Sequence, residues 1–188
     1  AKKLRAYGYR TYIFSYPSVK KSMVENAEAL AKFVDAIDAE TLHFIAHSLG
    51  GTLLLNYFER YDSRRYGRVV ILGSPLNGSL KAKRLLKWPF GNKSLGKSIE
   101  GGLLDGGLCC PAKHDVGVIA GDQPLGLGLF LGRFREPNDG TVAVSETRLP
   151  GISDHLVLHT SHTGMLLSNI VAAQIHGFLQ QGKFRHSN

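Results

Sequence analysis

Between Leu42 and Tyr61 the chain runs from an apolar stretch, Leu42-His43-Phe44-Ile45, through Ala46-His47-Ser48-Leu49-Gly50-Gly51, into an apolar helical pattern from Thr52 to Tyr61. That order predicts a strand, a sharp turn and a helix, with Ser48 at the apex of the turn. The backbone at such an apex is strained, and a bulky side chain two positions before or after it would collide across the turn. Ala46 and Gly50 hold those two positions, and both are small. Ser48 itself has two readings. It can be a helix N-cap, its oxygen accepting an N–H of the first turn. It can equally be a nucleophile, lifted clear of a sheet by the turn.

The rest of the chain supplies the sheet. Ala1 to Tyr7 reads as the tail of a helix ending at Gly8, a residue suited to a left-handed cap. Arg10 to Tyr16, rich in Tyr, Ile and Phe and stopped by Pro17, predicts a strand. Ser22-Met-Val-Glu25 has the spacing of a capping box and opens a helix to about Ile37, with Ala27, Leu30, Ala31, Val34 and Ile37 on its buried face. Arg68 to Gly73, Val116 to Ala120 and His155 to Thr160 predict further strands, and Gly164 to Gln180 a closing helix. Strands alternating with helices imply a mostly parallel sheet covered on both faces. Ligands of such sheets bind at the carboxyl ends of the strands, where Ser48 falls.

With 188 residues the chain is expected to form one domain over 1–188. No apolar run approaches the length of a membrane span. Residues 76–115 read as an irregular excursion and a candidate flap, glycine-rich in its later part and basic between Lys81 and Lys97, where no acidic residue occurs. A basic flap suits an anionic lipid surface or an acidic substrate, and the plainer reading is a solvated surface segment. Nucleic acid is not an expected partner, since no recognised module accompanies the net charge of +8. Cys109 and Cys110 are neighbours, an arrangement that disfavours a disulfide, so free thiols are expected. The Trp88-Pro89-Phe90 segment and the stretch from Leu125 to Gly132 could line an apolar pocket or serve as core loops.

A serine hydroxyl becomes a nucleophile only when a base takes its proton and an acid orients that base. The histidines after Ser48 are His114, His155, His159, His162, His176 and His186. His162 follows the last predicted strand and precedes the last helix, which puts it in a loop at the sheet's carboxyl end; His159 is its main rival. A metal site built on His155, His159 and His162 lacks a completing cysteine or carboxylate cluster. Asp122 and Asp139 are the two candidate acids, each following a strand or turn.

Four segments taken together resemble the bacterial lipase/esterase branch of the α/β-hydrolase superfamily, similar to triacylglycerol lipases and inositol-deacylase-like hydrolases. They are Ala46 to Gly51, Leu72-Gly-Ser-Pro-Leu-Asn-Gly-Ser79, Asn138-Asp-Gly-Thr-Val142 and Ser161-His-Thr-Gly-Met-Leu166. The resemblance extends from about Tyr7 to Phe184. It implies the α/β-hydrolase fold, Ser48 as nucleophile, His162 as base, Asp139 rather than Asp122 as acid, and the backbone N–H of Leu49 as an oxyanion donor. The implied activity is hydrolysis of carboxylic esters, with a small ester or lipid as substrate and with no cofactor or metal.

The family pattern also contains an earlier strand and an oxyanion loop, and this chain starts within the helix that should follow them. The expectation is therefore an N-terminally incomplete domain, its first strand or strands missing, rather than a natural loss. Removing one oxyanion donor costs about 10²–10³ in turnover. A non-catalytic α/β-hydrolase-fold binding protein is accordingly the alternative, and a lipid-surface module built on the basic run is a third reading. The bacterial cytoplasm is the expected location, with a signal peptide in any preceding segment as the alternative.

Overall fold

The structure, a computed structural model, describes residues 1–62, 65–86, 97, 104, 106–111, 113–125 and 134–186. Its centre is a parallel sheet in the order β1-β2-β3-β4, made of Leu42–His47, Tyr66–Leu72, Val116–Gly121 and Asp154–Leu158. Ile45 lies opposite Val70, Ile71 opposite Val118, and Ile119 opposite Leu156. Helices α1 (Lys2–Arg5), α2 (Met23–Asp35), α3 (Leu49–Phe58), α4 (Leu80–Leu86), α5 (Gly164–Leu167) and α6 (Asn169–Gln181) complete the described elements, with a 3₁₀ turn at Ser145–Thr147.

The continuous apolar run of β2 follows from burial on both faces. Successive strand residues point to opposite sides. Val69 and Ile71 therefore join Leu30, Val34, Leu53 and Leu55 in the cluster under α2 and α3. Val70 and Leu72 join Ile119, Val171, Ile175 and Phe178 in the cluster under α6. Burying each such side chain contributes about 1.5–3 kcal/mol, so this one strand ties both layers together. The capping box at Ser22 forms as its spacing predicts: the Ser22 hydroxyl accepts the Glu25 N–H, and the Glu25 carboxylate accepts the Ser22 N–H.

Several expectations are corrected. Residues 9–16 form no strand, because no described segment pairs with them; Phe14 and Tyr16 still pack on the core through their rings, Phe14 lying 5.3 Å from Phe33. The closing helix is two helices. Ser168 adopts an extended ψ of 131° and its hydroxyl accepts the Val171 N–H, which starts α6 afresh after the single turn of α5. The last strand ends at Leu158, leaving His159 and Thr160 beyond it. The 76–115 region is not wholly irregular, since it contains α4, and Lys81 of its basic run is buried rather than solvated. Trp88-Pro89-Phe90 and most of the 125–132 stretch lie outside the described residues.

Packing of α3 against β2 depends on Gly51 more than on Gly50. A Cβ on Gly51 would come within 2.6 Å of the Ile71 Cγ2 and closer still to the Ser74 hydroxyl. At Gly50 the nearest neighbour would be the Ala46 Cβ at 3.8 Å, an ordinary contact. Gly51→Ala is expected to destabilise the fold by about 1–3 kcal/mol through overpacking. Gly50→Ala should be neutral or slightly stabilising. Urea unfolding of the two variants beside the parent checks both; equal midpoints for the two would contradict this account of the turn.

Candidate active site

Ser48 links β1 to α3 and has φ 55° and ψ −130°, the sole non-glycine positive φ among the described residues. Holding such a backbone costs on the order of 1–3 kcal/mol and requires surroundings that enforce it. The Ser48 N–H donates to the Leu72 carbonyl at 2.9 Å, and its own carbonyl accepts the Gly51 N–H at 3.0 Å. Its hydroxyl makes no cap hydrogen bond. It faces the His162 Nε2 at 3.0 Å instead, so the N-cap reading of Ser48 does not describe its side chain.

His162 stands in the loop between β4 and α5, with its side chain 13% exposed. Its Nδ1 lies 2.7 Å from the Asp139 Oδ2. Since a carboxylate only accepts, Nδ1 carries the proton and Nε2 is left as acceptor for the Ser48 hydroxyl. The His162 N–H also donates to the Asp139 carbonyl at 2.9 Å, which ties the two loops through backbone as well as side chain.

Asp139 is 1% exposed, in the turn after β3 where Asn138 bridges Ala143. Its Oδ1 accepts the Thr141 and Val142 N–H groups at 2.8 and 2.7 Å. The carboxylate therefore receives three donors counting His162. Asp122 and His159, the rival acid and rival base, lie 2.9 Å apart and pair with each other at the surface. His155 turns elsewhere, its Nε2 2.9 Å from the Thr147 hydroxyl. The structure thus brings Ser48, His162 and Asp139 together and separates the other two histidines from them.

Leu49 is the first residue of α3. Its N–H belongs to the set that a helix leaves unpaired within itself, at the positive end of the helix dipole. A serine, a base with a free acceptor nitrogen and a buried carboxylate in one relay can move a proton off the hydroxyl as the oxygen forms a bond.

Two residues of the site carried no signal in the sequence. His47 donates from Nε2 to the His162 carbonyl at 2.9 Å, and its ring centroid is 4.6 Å from that of His162. Burial, then the neighbouring His162, hold His47 below the ordinary histidine value, so it stays neutral and fixes the loop. Its partner is a main-chain carbonyl far along the chain, which no motif records. Gly73, at φ 50°, ends β2 beneath the pair; a Cβ there would lie 2.8 Å from the Asp139 Oδ2 and 3.3 Å from the His162 Nδ1.

The profile of the alpha/beta hydrolase fold matches residues 2–94. This chain has the α/β-hydrolase fold. Among solved structures, the α/β-hydrolase chain is similar to the Bacillus licheniformis lipase BlEst2 in mature form, at 17% identity and a TM-score of 0.56, covering 87% of this chain and 75% of that one. It is similar to a metagenomic carboxyl esterase, MGS0156, at 20% identity and a TM-score of 0.66, covering 86% and 57%. It is also similar to the phospholipase PlaB from Legionella pneumophila, at 17% identity and a TM-score of 0.60, covering 91% and 48%. The α/β-hydrolase chain thus spans about half the length of the last two. No curated protein matches its sequence.

Three histidines of this α/β-hydrolase domain are held below their ordinary value by burial: His43, His47 and His155. The unfolded chain takes up protons at these positions below about pH 6.5, while the folded chain resists them. Unfolding free energy from this source therefore rises with pH and is fully present above about 6.5. Acidification from pH 7.5 to 5.5 is expected to lower the urea midpoint; a midpoint that holds or rises would contradict it.

Proposed function

We propose that this α/β-hydrolase domain is a serine hydrolase acting on carboxylic esters. The observation that carries the reading is the continuous relay from the Ser48 hydroxyl through His162 to Asp139, built on a strained serine whose side chain caps nothing. In the first step the Ser48 Oγ bonds to the acyl carbon as its proton passes to the His162 Nε2. The carbonyl oxygen gains negative charge, and the Leu49 N–H stabilises it. When the tetrahedral intermediate collapses, the ester C–O bond breaks and His162 returns the proton to the departing alkoxide. Water then attacks the acyl-enzyme by the same route in reverse, releasing acid and free serine. Asp139 holds the imidazole in the tautomer that leaves Nε2 free.

The lipase, carboxyl esterase and phospholipase among the similar structures all act, by their names, on esters, which supports a small ester or lipid as substrate. We read residues 1–188 as one hydrolase domain, with 76–115 as its flap. Peripheral contact with anionic lipid would fall to the cations of that flap other than Lys81, which is buried.

An alkyl fluorophosphonate tests the reading. One adduct on the parent protein by intact mass, and none on Ser48→Ala, is the expected outcome, with ester hydrolysis lost in that variant by 10⁴-fold or more, roughly. The variant should fold normally. A parent protein that takes no adduct while hydrolysing no ester would mark the domain as a non-catalytic binder. Retained activity in pure Ser48→Ala would overturn the assignment of the nucleophile.

A further inference from the structure

The turn that carries Asp139 is gripped from outside by a charged side chain that none of these steps employs. Lys81, in the first turn of α4, is only 3% exposed. Its Nζ donates to the Gly140 carbonyl at 2.6 Å and lies 4.7 Å from the centroid of the Phe134 ring. Gly140 directly follows Asp139; its N–H is held by the Asn138 Oδ1 at 3.0 Å, and its φ of 94° places it at the left-handed tip of the turn. Burial draws the Lys81 ammonium below its ordinary value, Asp139 and Glu146 push it back up, and Arg84 lowers it again.

Glu146 fastens the other end of the same turn. Its carboxylate accepts the Leu80 N–H at the start of α4 and the Ala143 N–H at 2.8 Å. Its carbonyl accepts the Asn77 N–H at 2.9 Å. Two buried charges of opposite sign therefore join α4 to the segment from Asp139 to Glu146. Replacing a whole set of buried ions by apolar side chains is often neutral or stabilising, whereas removing one partner is costly, so packing alone does not account for the charges here.

We propose that Lys81 is a positioning residue for the Asp139–His162 pair. Its clamp on the Gly140 carbonyl fixes the turn that aims Asp139, and its charge is near enough to act on that carboxylate. The catalytic meaning of this role rests on the serine-hydrolase reading; the electrostatic part does not. The charged group acting on Asp139 from the side of α4 is Lys81, on which Glu146 and Arg84 act in turn; His47 and Ser48 face His162 from the end of β1. Removing the Lys81 charge leaves the carboxylate free to hold a proton on His162 more strongly. Its His162 titration, and with it the acidic limb of the kcat/KM profile, then moves to higher pH.

The experiment compares Lys81→Met, Lys81→Gln and Lys81→Arg with the parent, using p-nitrophenyl butyrate turnover, the rate of fluorophosphonate labelling, and an NMR pH titration of the His162 imidazole. In folded Lys81→Met, kcat is expected to fall roughly 10- to 100-fold with KM nearly unchanged, as for a misplaced catalytic group. His162 should titrate at higher pH, and Lys81→Arg should recover most of both. A folded Lys81→Met with parental kcat, or with an unmoved His162 titration, overturns the proposal. If Lys81→Met does not fold, Lys81→Gln, which retains an N–H donor without the charge, is judged by the same criteria. If neither folds, Lys81 is a stability residue and the proposal fails. A parent protein that takes no phosphonate adduct would sink the serine-hydrolase reading, while the His162 titration would still decide the role of Lys81.

Discussion

Burying a carboxylate costs several kcal/mol unless its lone pairs find donors, and around Asp139 that requirement organises a large part of the domain. Two donors come from the turn's own backbone, Thr141 and Val142, and a third from the ring of His162. The three cannot converge unless the 137–144 turn closes on itself and the loop after β4 lies across it. Glycine at position 73 leaves room below, and the hydrogen bond from the His162 N–H to the Asp139 carbonyl locks the loops together. The orientation of His162 is thus a consequence of satisfying one buried acid.

The other half of the arrangement is the strain at Ser48. Its positive φ is held because β1 is paired to β2 and α3 is pressed onto β2 at Gly51. The Ser48 N–H extends the ladder of β1 by one bond to Leu72. The chain then has no freedom to relax into an ordinary helix start, and the hydroxyl points outward to His162 rather than back to its own helix. Strain at one residue is offset by sheet pairing and core packing spread over many.

Much of this was legible in the chain, because the signals were local. The capping box at Ser22, the apolar run of β2 and the strand–turn–helix around Ser48 each depend on residues close in sequence, and each formed. The misreadings have a common source too. Arg10 to Tyr16 has strand composition, but a strand exists only where a neighbour pairs with it. The closing helix kept its periodicity through Ser168, whose capping of a second helix outweighed it. Lys81 read as one more cation in a solvated run, since nothing nearby announces that its ammonium reaches a carbonyl fifty-nine positions away.

Sequence alone determined the alternation of strands and helices, the steric opening around Ser48 and a short roster of histidines and acids, because short-range periodicity and side-chain size govern those features. Tertiary structure decided the pairings. It joined His162 to Asp139 and turned His159 aside to Asp122, although Asp122 and Asp139 both follow β3 and His159 and His162 are three residues apart. It also made Gly51 rather than Gly50 the tight position, and set His47 and Lys81 around the pair. Each of these outcomes depends on where loops from separate strands meet at one end of the sheet, a distance relation that neither composition nor spacing encodes.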